Sequence, residues 1–343
     1  MKNKILNILK YLLFLGLGVF LVWWSLHQIP PEKWNDFRKS FATANYSLIV
    51  PVFFILFLSH FLRAVRWKML MLPMGYKPSL INTFFAVMIG YLANLAVPRL
   101  GEVLKCTILA KYENVPVDKL LGTIVAERAF DFLSLAIVFL FAFAFQFDVI
   151  GHYAINLSKK LFFNKSGDFN FTKLIIVFAS ISFIVIIIRV LFKRFAELKL
   201  IKAVKNIAKG IWQGIISVKH LKQKWQFILA TLGIWAMYIF GTWIGFSGTA
   251  GTTGLSLEVA VSALAFGSIG MIITPGGIGT YAIFIAKVLE RNGIPFYIGF
   301  ANGTLQWFAQ FLIIILVGFI SLGLLPWFNK KQNNYEETGS NSI

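Results

Sequence analysis

Long apolar runs separated by short clusters of lysine, arginine and proline make up most of the chain. Six of them, at residues 11–26, 46–62, 120–147, 174–188, 225–246 and 299–325, read as membrane-spanning helices. Two further apolar stretches are interrupted. The first is uncharged over residues 79–97, then places Pro98, Arg99, Gly101 and Glu102 within five positions, and resumes as apolar sequence to residue 110. The second carries no charge over residues 259–286 and is broken at Thr274-Pro275-Gly276-Gly277, with Gly279 close behind. Proline removes a backbone donor and bends or ends a helix, and glycine permits a tight turn. In hydrocarbon such breaks persist only where protein buries them or where they line a watered cavity.

The cations fix a direction. Between Lys193 and Lys224 stand nine lysines and arginines against one acid, Glu197, which places that loop on the cytoplasmic side. Isoleucines and valines recur there at helical period between the lysines, so the 192–224 segment reads as an amphipathic helix lying on anionic lipid. Arg63 at the end of the second span is cytoplasmic as well. The 79–110 region must then enter and leave on the cytoplasmic face, and the 255–290 region on the outer face. The expectation is an all-α polytopic membrane protein of about six full spans plus two oppositely oriented re-entrant hairpins, seven to eight membrane segments in all. Opposed interrupted segments are a sequence pointer to a binding site near the midplane. The chain reads as one domain over residues 1–330 with a disordered tail over 331–343, both termini cytoplasmic, in the cell membrane (inner or plasma).

Composition narrows the chemistry. The 343 residues are 58% hydrophobic and 14% charged, with a net charge of +19, which excludes an ordinary soluble domain. That charge suits anionic lipid head groups, and nucleic acid is not expected as a partner. A single cysteine and four scattered histidines give no disulfide and no metal-ligand spacing, and no nucleotide-binding or hydrolase motif occurs. No cofactor or metal is expected.

The candidate site residues are the ionisable groups caught in apolar sequence, which are costly there and tend to face an interior or a pathway. His60, Arg63 and Trp67 share a helical face, with Arg66 beside them. They serve either as a cytoplasmic anchor with an interfacial tryptophan or as an arginine pair for lipid phosphate. Glu127 and Asp131 lie one helical turn apart, with Arg128 within reach of Asp131. They form either a local ion pair or a cluster facing Arg99 and Glu102 across the Pro98 break. Arg99 and Glu102 themselves read as such a site or as solvated charges at a helix end. Asn94 precedes that break, and Pro98, Gly101, Pro275, Gly276, Gly277 and Gly279 are the expected turn residues.

In these motifs the chain resembles the lysylphosphatidylglycerol synthase transmembrane region family, also called flippase-like. Arg63-Ala64-Val65-Arg66-Trp67, Gly90 to Asn94 with Pro98-Arg99-Leu100-Gly101-Glu102, Glu127-Arg128 with Asp131, and Pro275-Gly276-Gly277-Ile278-Gly279 carry the likeness, over about residues 10 to 327. Bifunctional members add a soluble aminoacyl-transferase domain, which has no counterpart here. The resemblance therefore implies a lipid translocase moving a phospholipid or polyprenyl-phosphate lipid, not an enzyme of lysyl transfer. A separate lipid-modifying enzyme would then supply the substrate. The alternatives are a membrane-embedded transferase using Glu102, Glu127 or Asp131 as base, and a non-catalytic assembly protein. Many relatives carry a glutamate shortly after the glycine turn, where this chain has Thr280-Tyr281-Ala282-Ile283. The lipid, the direction, the energy source and the oligomeric state are left open.

Overall fold

The computed structural model describes residues 2–97, 99–145 and 221–340 with isolated positions at 171, 172, 175 and 179; for residues 2–14, 96 and 331–340 it describes backbone alone. Pro98, most of the span read at 174–188 and the basic stretch up to residue 220 lie outside the described residues. The described chain is helical, with no strand among those residues. After α1 (Lys2–His27) and the short α2 (Trp34–Ala42) come α3 (Ile49–Met71), α4 (Leu80–Ala96), α5 (Leu100–Glu113) and α6 (Val117–Phe145). Beyond the gap follow α7 (Lys224–Phe246), α8 (Leu257–Ile273), α9 (Thr280–Arg291) and α10 (Phe296–Ser340). Stretches within α3, α6, α7 and α10 are long and apolar enough to cross a membrane.

The order long–short–short–long occurs twice, as α3-α4-α5-α6 and as α7-α8-α9-α10. The two copies point in opposite directions. Gly233 of α7 faces Leu62 of α3, and Gly241 faces Ile55, so the leading helices pack antiparallel. The short arms have 17, 14, 17 and 12 residues. At about 1.5 Å per residue each falls short of a ~30 Å hydrocarbon core. Each pair folds back on itself as a hairpin, as the interrupted apolar stretches predict.

Helix α10 shows how the hairpins meet. Near its start Gly299 and Gly303 pack on Ala286 and Ala282 of α9. Further on Gly318 meets Leu92 of α4, and Asn329 pairs with Asn82 at the base of α4. The hairpins therefore lie end to end along α10 and enter from opposite ends. Their tips touch midway, where the Gly276 position lies 3.7 Å from Leu95 and the Trp307 indole N–H donates to the Gly276 carbonyl at 2.6 Å.

The two breaks are built differently. Gly276, Gly277 and Gly279 all have positive φ, at 63°, 72° and 74°, a region that only glycine enters freely. The hydroxyls of Thr274 and Thr280 bond each other across that turn, and Thr280 also donates to the Gly270 carbonyl. In the first hairpin Gly90 and Gly101 pack backbone to backbone, with no room for a Cβ on Gly101. Asn94 braces the same spot by accepting the Gly101 N–H at 2.8 Å.

One boundary departs from the expectation. The second span was expected to end at residue 62, with the following cations at the surface. Instead α3 continues to Met71 and buries Arg63, Arg66 and Trp67 against α5, α6 and α7. The loop at 248–254 packs against α10. Its Thr249 and Thr252 hydroxyls are buried against the Asn302 amide.

Candidate functional site

Three helices bring charged residues, and a fourth a tyrosine, to one point just below the tip of the first hairpin. From α3 comes Arg63, whose Nη1 lies 2.8 Å from Asp131 and whose Nε donates to the Tyr238 hydroxyl of α7 at 2.9 Å. One turn on, Arg66 reaches the other Asp131 oxygen at 2.6 Å. Helix α5 contributes Lys105, 2.7 Å from Glu127. Helix α6 contributes Glu127, Arg128 and Asp131, which its 3.6-residue period places on one face. Glu127 also lies 3.7 Å from both Arg63 and Arg66 and 3.5 Å from Arg128. Aromatic rings complete the shell. Tyr238 stacks near Arg63, Phe227 near Arg66, and Trp67 lies 4.5 Å from the Lys105 ammonium while donating to Thr123.

The cluster is embedded in protein. Side-chain exposure is 0% for Arg66, 2% for Glu127, 7% for Lys105 and 9% for Arg63, against 46% for Arg128. Four cations stand against two carboxylates, leaving two positive charges without a counter-charge among the described residues. Arg66 leaves its Nε and Nη1 without a partner among the described residues, and Arg128 makes the longest contacts. Its nearest acid oxygens are 3.5 and 3.8 Å away, beyond a good hydrogen bond. Charges desolvated to this degree are normally balanced, because an unpaired buried ion is strongly unfavourable.

A cavity of about 680 Å³ ends on this cluster, where Arg63, Arg128, Asp131, Tyr91, Tyr238 and His60 form its floor. From there it runs beside α3 to Ala44, Asn45 and Tyr46 at the far end, with walls mostly apolar. Phe132, Ile272 and Phe308 line it and are also 60%, 74% and 48% exposed, so its side opens on the apolar exterior of the bundle. Among the described residues two buried ring nitrogens in its lining, His60 Nδ1 and Trp235 Nε1, have no hydrogen-bond partner. Tyr281, Gln306 and Gln310 add polar groups midway. On the opposite side of the cluster Trp67, Leu70, Met71, Leu109 and Leu120 close the protein with buried apolar side chains.

The sequence-derived candidates separate into two sets. Arg63, Arg66, Glu127, Arg128 and Asp131 meet in the cluster. Arg99 and Glu102 do not face it. Arg99 is exposed, caps α5 with a left-handed backbone (φ 70°), and like the half-buried Glu102 joins no ion pair among the described residues. Asn94 is a brace of the hairpin. Of the expected turn residues, Gly101, Pro275, Gly276, Gly277 and Gly279 stand at the hairpin tips. Ala282 is buried with its backbone packed on Gly303, while its neighbour Tyr281 lines the cavity.

Lys105 and Tyr238 went unrecognised in the sequence. Lys105 had a legible signal: it lies four residues after Gly101, hence on the face of α5 that packs on Gly90, as its Cβ contact with that position confirms. Tyr238 carried no local signal, because a tyrosine in an apolar helix is ordinary.

A family model described as the lysylphosphatidylglycerol synthase TM region matches residues 7–327. A UPF0104 membrane protein of Methanocaldococcus jannaschii is 23% identical over 349 residues, covering 94% of this chain and 94% of that protein. No solved structure matches the chain.

Proposed function

The chain belongs to the lysylphosphatidylglycerol synthase transmembrane region family, and from that membership we propose that it is a lipid translocase, moving a phospholipid or polyprenyl-phosphate lipid between leaflets. One observation carries this reading. A side-open, apolar-walled cavity ends on a buried cluster with two surplus positive charges. A lipid enters such a cavity sideways from the bilayer, between Phe132 on α6 and Ile272 on α8, with its tails left in hydrocarbon. Its anionic head group settles against Arg128 and Arg63, and charge-assisted hydrogen bonds hold it there. The barrier that makes a carrier necessary is the transfer of a charged head group through hydrocarbon, which costs several kcal/mol or more.

The cavity, read with the orientation expected from the lysine-rich loop, implies the direction of the captured state. With the lysine-rich loop inside, its Asn45 end faces outward and the Trp67 side faces the cytoplasm. Passage then requires the apolar seal of Trp67, Met71 and Leu120 to part while the Asn45 end closes. The two opposed hairpins, touching at Leu95 and Gly276, are the elements whose relative tilt would exchange those states. The transferase alternative loses ground because Glu127 and Asp131 are each engaged by three or more cations, an arrangement for charge balance rather than proton transfer.

The test is leaflet-resolved movement of acyl-labelled lipids in proteoliposomes, comparing wild type with Arg128→Gln. Wild-type movement at least tenfold above protein-free vesicles, lost in an Arg128→Gln protein that elutes as a folded species, is the expected result. Equal rates for wild type and empty vesicles across anionic and zwitterionic lipids would overturn it.

A further inference from the structure

The surplus charge distinguishes one kind of head group from another. A zwitterionic lipid brings no net charge to the cluster, and a phosphodiester lipid brings one negative charge. A phosphomonoester brings about −1.5 to −2 at pH 7, because its second ionisation lies near pH 6. Among the described residues, four cations against two carboxylates leave a deficit of two. Resting on the translocase reading, we infer that the cavity selects lipids ending in a terminal phosphomonoester, such as phosphatidate or a polyprenyl monophosphate, over phosphodiester and aminoacylated lipids.

The donors at the floor have the matching form. A terminal phosphate presents three oxygens and takes donors from several sides, whereas an esterified one exposes fewer. Arg128 on α6 and Arg63 on α3 approach from two helices, and Tyr91 and Tyr238 add hydroxyls from α4 and α7. The His60 ring nitrogen, buried and unpartnered among the described residues, stands in the same floor. Arg63 and Arg66 are already held by Asp131, so they act as a fixed positive base, and Arg128, with longer contacts and a half-exposed side chain, is the arm free to meet a ligand. The floor offers an additional positive group no free acid among the described residues. A cationic aminoacyl head would meet Arg63 and Arg128 with Asp131 as its sole lining acid, and Asp131 is doubly occupied. The apolar walls beside Leu135, Leu264 and Ile272 accept the tail that follows the phosphate. A soluble phosphomonoester would satisfy the same floor but leave those walls in water.

Two measurements on the full-length protein decide the matter. In proteoliposomes, acyl-labelled phosphatidate should cross at least ten times faster than phosphatidylglycerol or phosphatidylcholine. Arg128→Gln should abolish that preference, and Arg128→Lys should keep part of it. In detergent, short-chain phosphatidate should raise the thermal midpoint, with phosphatidylglycerol of equal chain length giving a smaller rise and glycerol 3-phosphate or inorganic phosphate giving none. Phosphatidylglycerol moving and stabilising as well as phosphatidate would overturn the selectivity while leaving translocation intact. Stabilisation by phosphatidate with no lipid movement would uphold the selectivity and refute the translocase reading. Equal stabilisation by glycerol 3-phosphate would assign the floor to a soluble phosphomonoester and overturn the lipid inference.

Discussion

Replacing Glu127 by glutamine keeps the shape of the side chain and removes its charge at the point where four helices converge. The carboxylate is 2.7 Å from Lys105, 3.5 Å from Arg128 and 3.7 Å from each of Arg63 and Arg66, with 2% of its side chain exposed. Without it, Asp131 alone faces four cations and the uncompensated charge rises from two to three. Removing one partner of a buried pair typically costs about 3–5 kcal/mol, since the remaining ion stays desolvated. At about 2–4 °C per kcal/mol for a large domain, the thermal midpoint should fall by roughly 6–20 °C. Tryptophan-fluorescence melting of the purified protein, with size-exclusion as a check on folding, reads this directly. Glu102→Gln is the control. It alters an acid of the same first hairpin that joins no ion pair among the described residues, and should move stability by about 0.5 kcal/mol or less. Adding Lys105→Met to Glu127→Gln restores the original charge count and should recover about 1 kcal/mol or more through coupling. Melting of Glu127→Gln within a degree of wild type, or a further full loss on adding Lys105→Met, would refute this charge balance.

Other consequences follow from the same geometry. Arg66→Lys should cost about 2 kcal/mol, because an ammonium cannot reproduce the planar contact with Asp131 and Phe227; unchanged melting would show that point charge suffices. Gly101→Ala places a methyl into the Gly90 carbonyl and the Asn94 amide, so it should destabilise by about 2 kcal/mol or more by overpacking. Gly122→Ala, with open space around it in α6, should gain up to about 1 kcal/mol in the same melting assay. Starting from Cys106→Ser, which removes the sole cysteine, Asn45→Cys should react with an impermeant maleimide from outside intact cells, and Lys330→Cys only after permeabilisation. The reverse pattern would invert the orientation assigned to the cavity.

Much of the site was visible in the sequence for a simple reason. Arg63, Arg66, Glu127, Arg128 and Asp131 interrupt apolar stretches, and a charge in such surroundings demands a partner. What the sequence could not supply was the pairing. Arg63 and Arg66 read equally well as a surface anchor, and that alternative fell because α3 extends nine residues past residue 62 and carries them inward. Arg99 and Glu102 sit at the break and drew attention by position. A helix turn of 3.6 residues directs Lys105 toward α6 while leaving Arg99 exposed.

By itself the sequence determined the all-helical membrane architecture, the two interrupted stretches and their opposed entry. Hydropathy, proline and glycine act locally, and the lysine count sets the side each helix end is expected to face. The tertiary structure alone decided which charges share a site, that Lys105 and Tyr238 belong to it, and that a side-open cavity ends on it. Those facts depend on how α3, α5, α6 and α7 rotate about their axes. Rotation is set by long-range packing, such as Leu62 on Gly233 and Gly90 on Gly101, which no local pattern encodes.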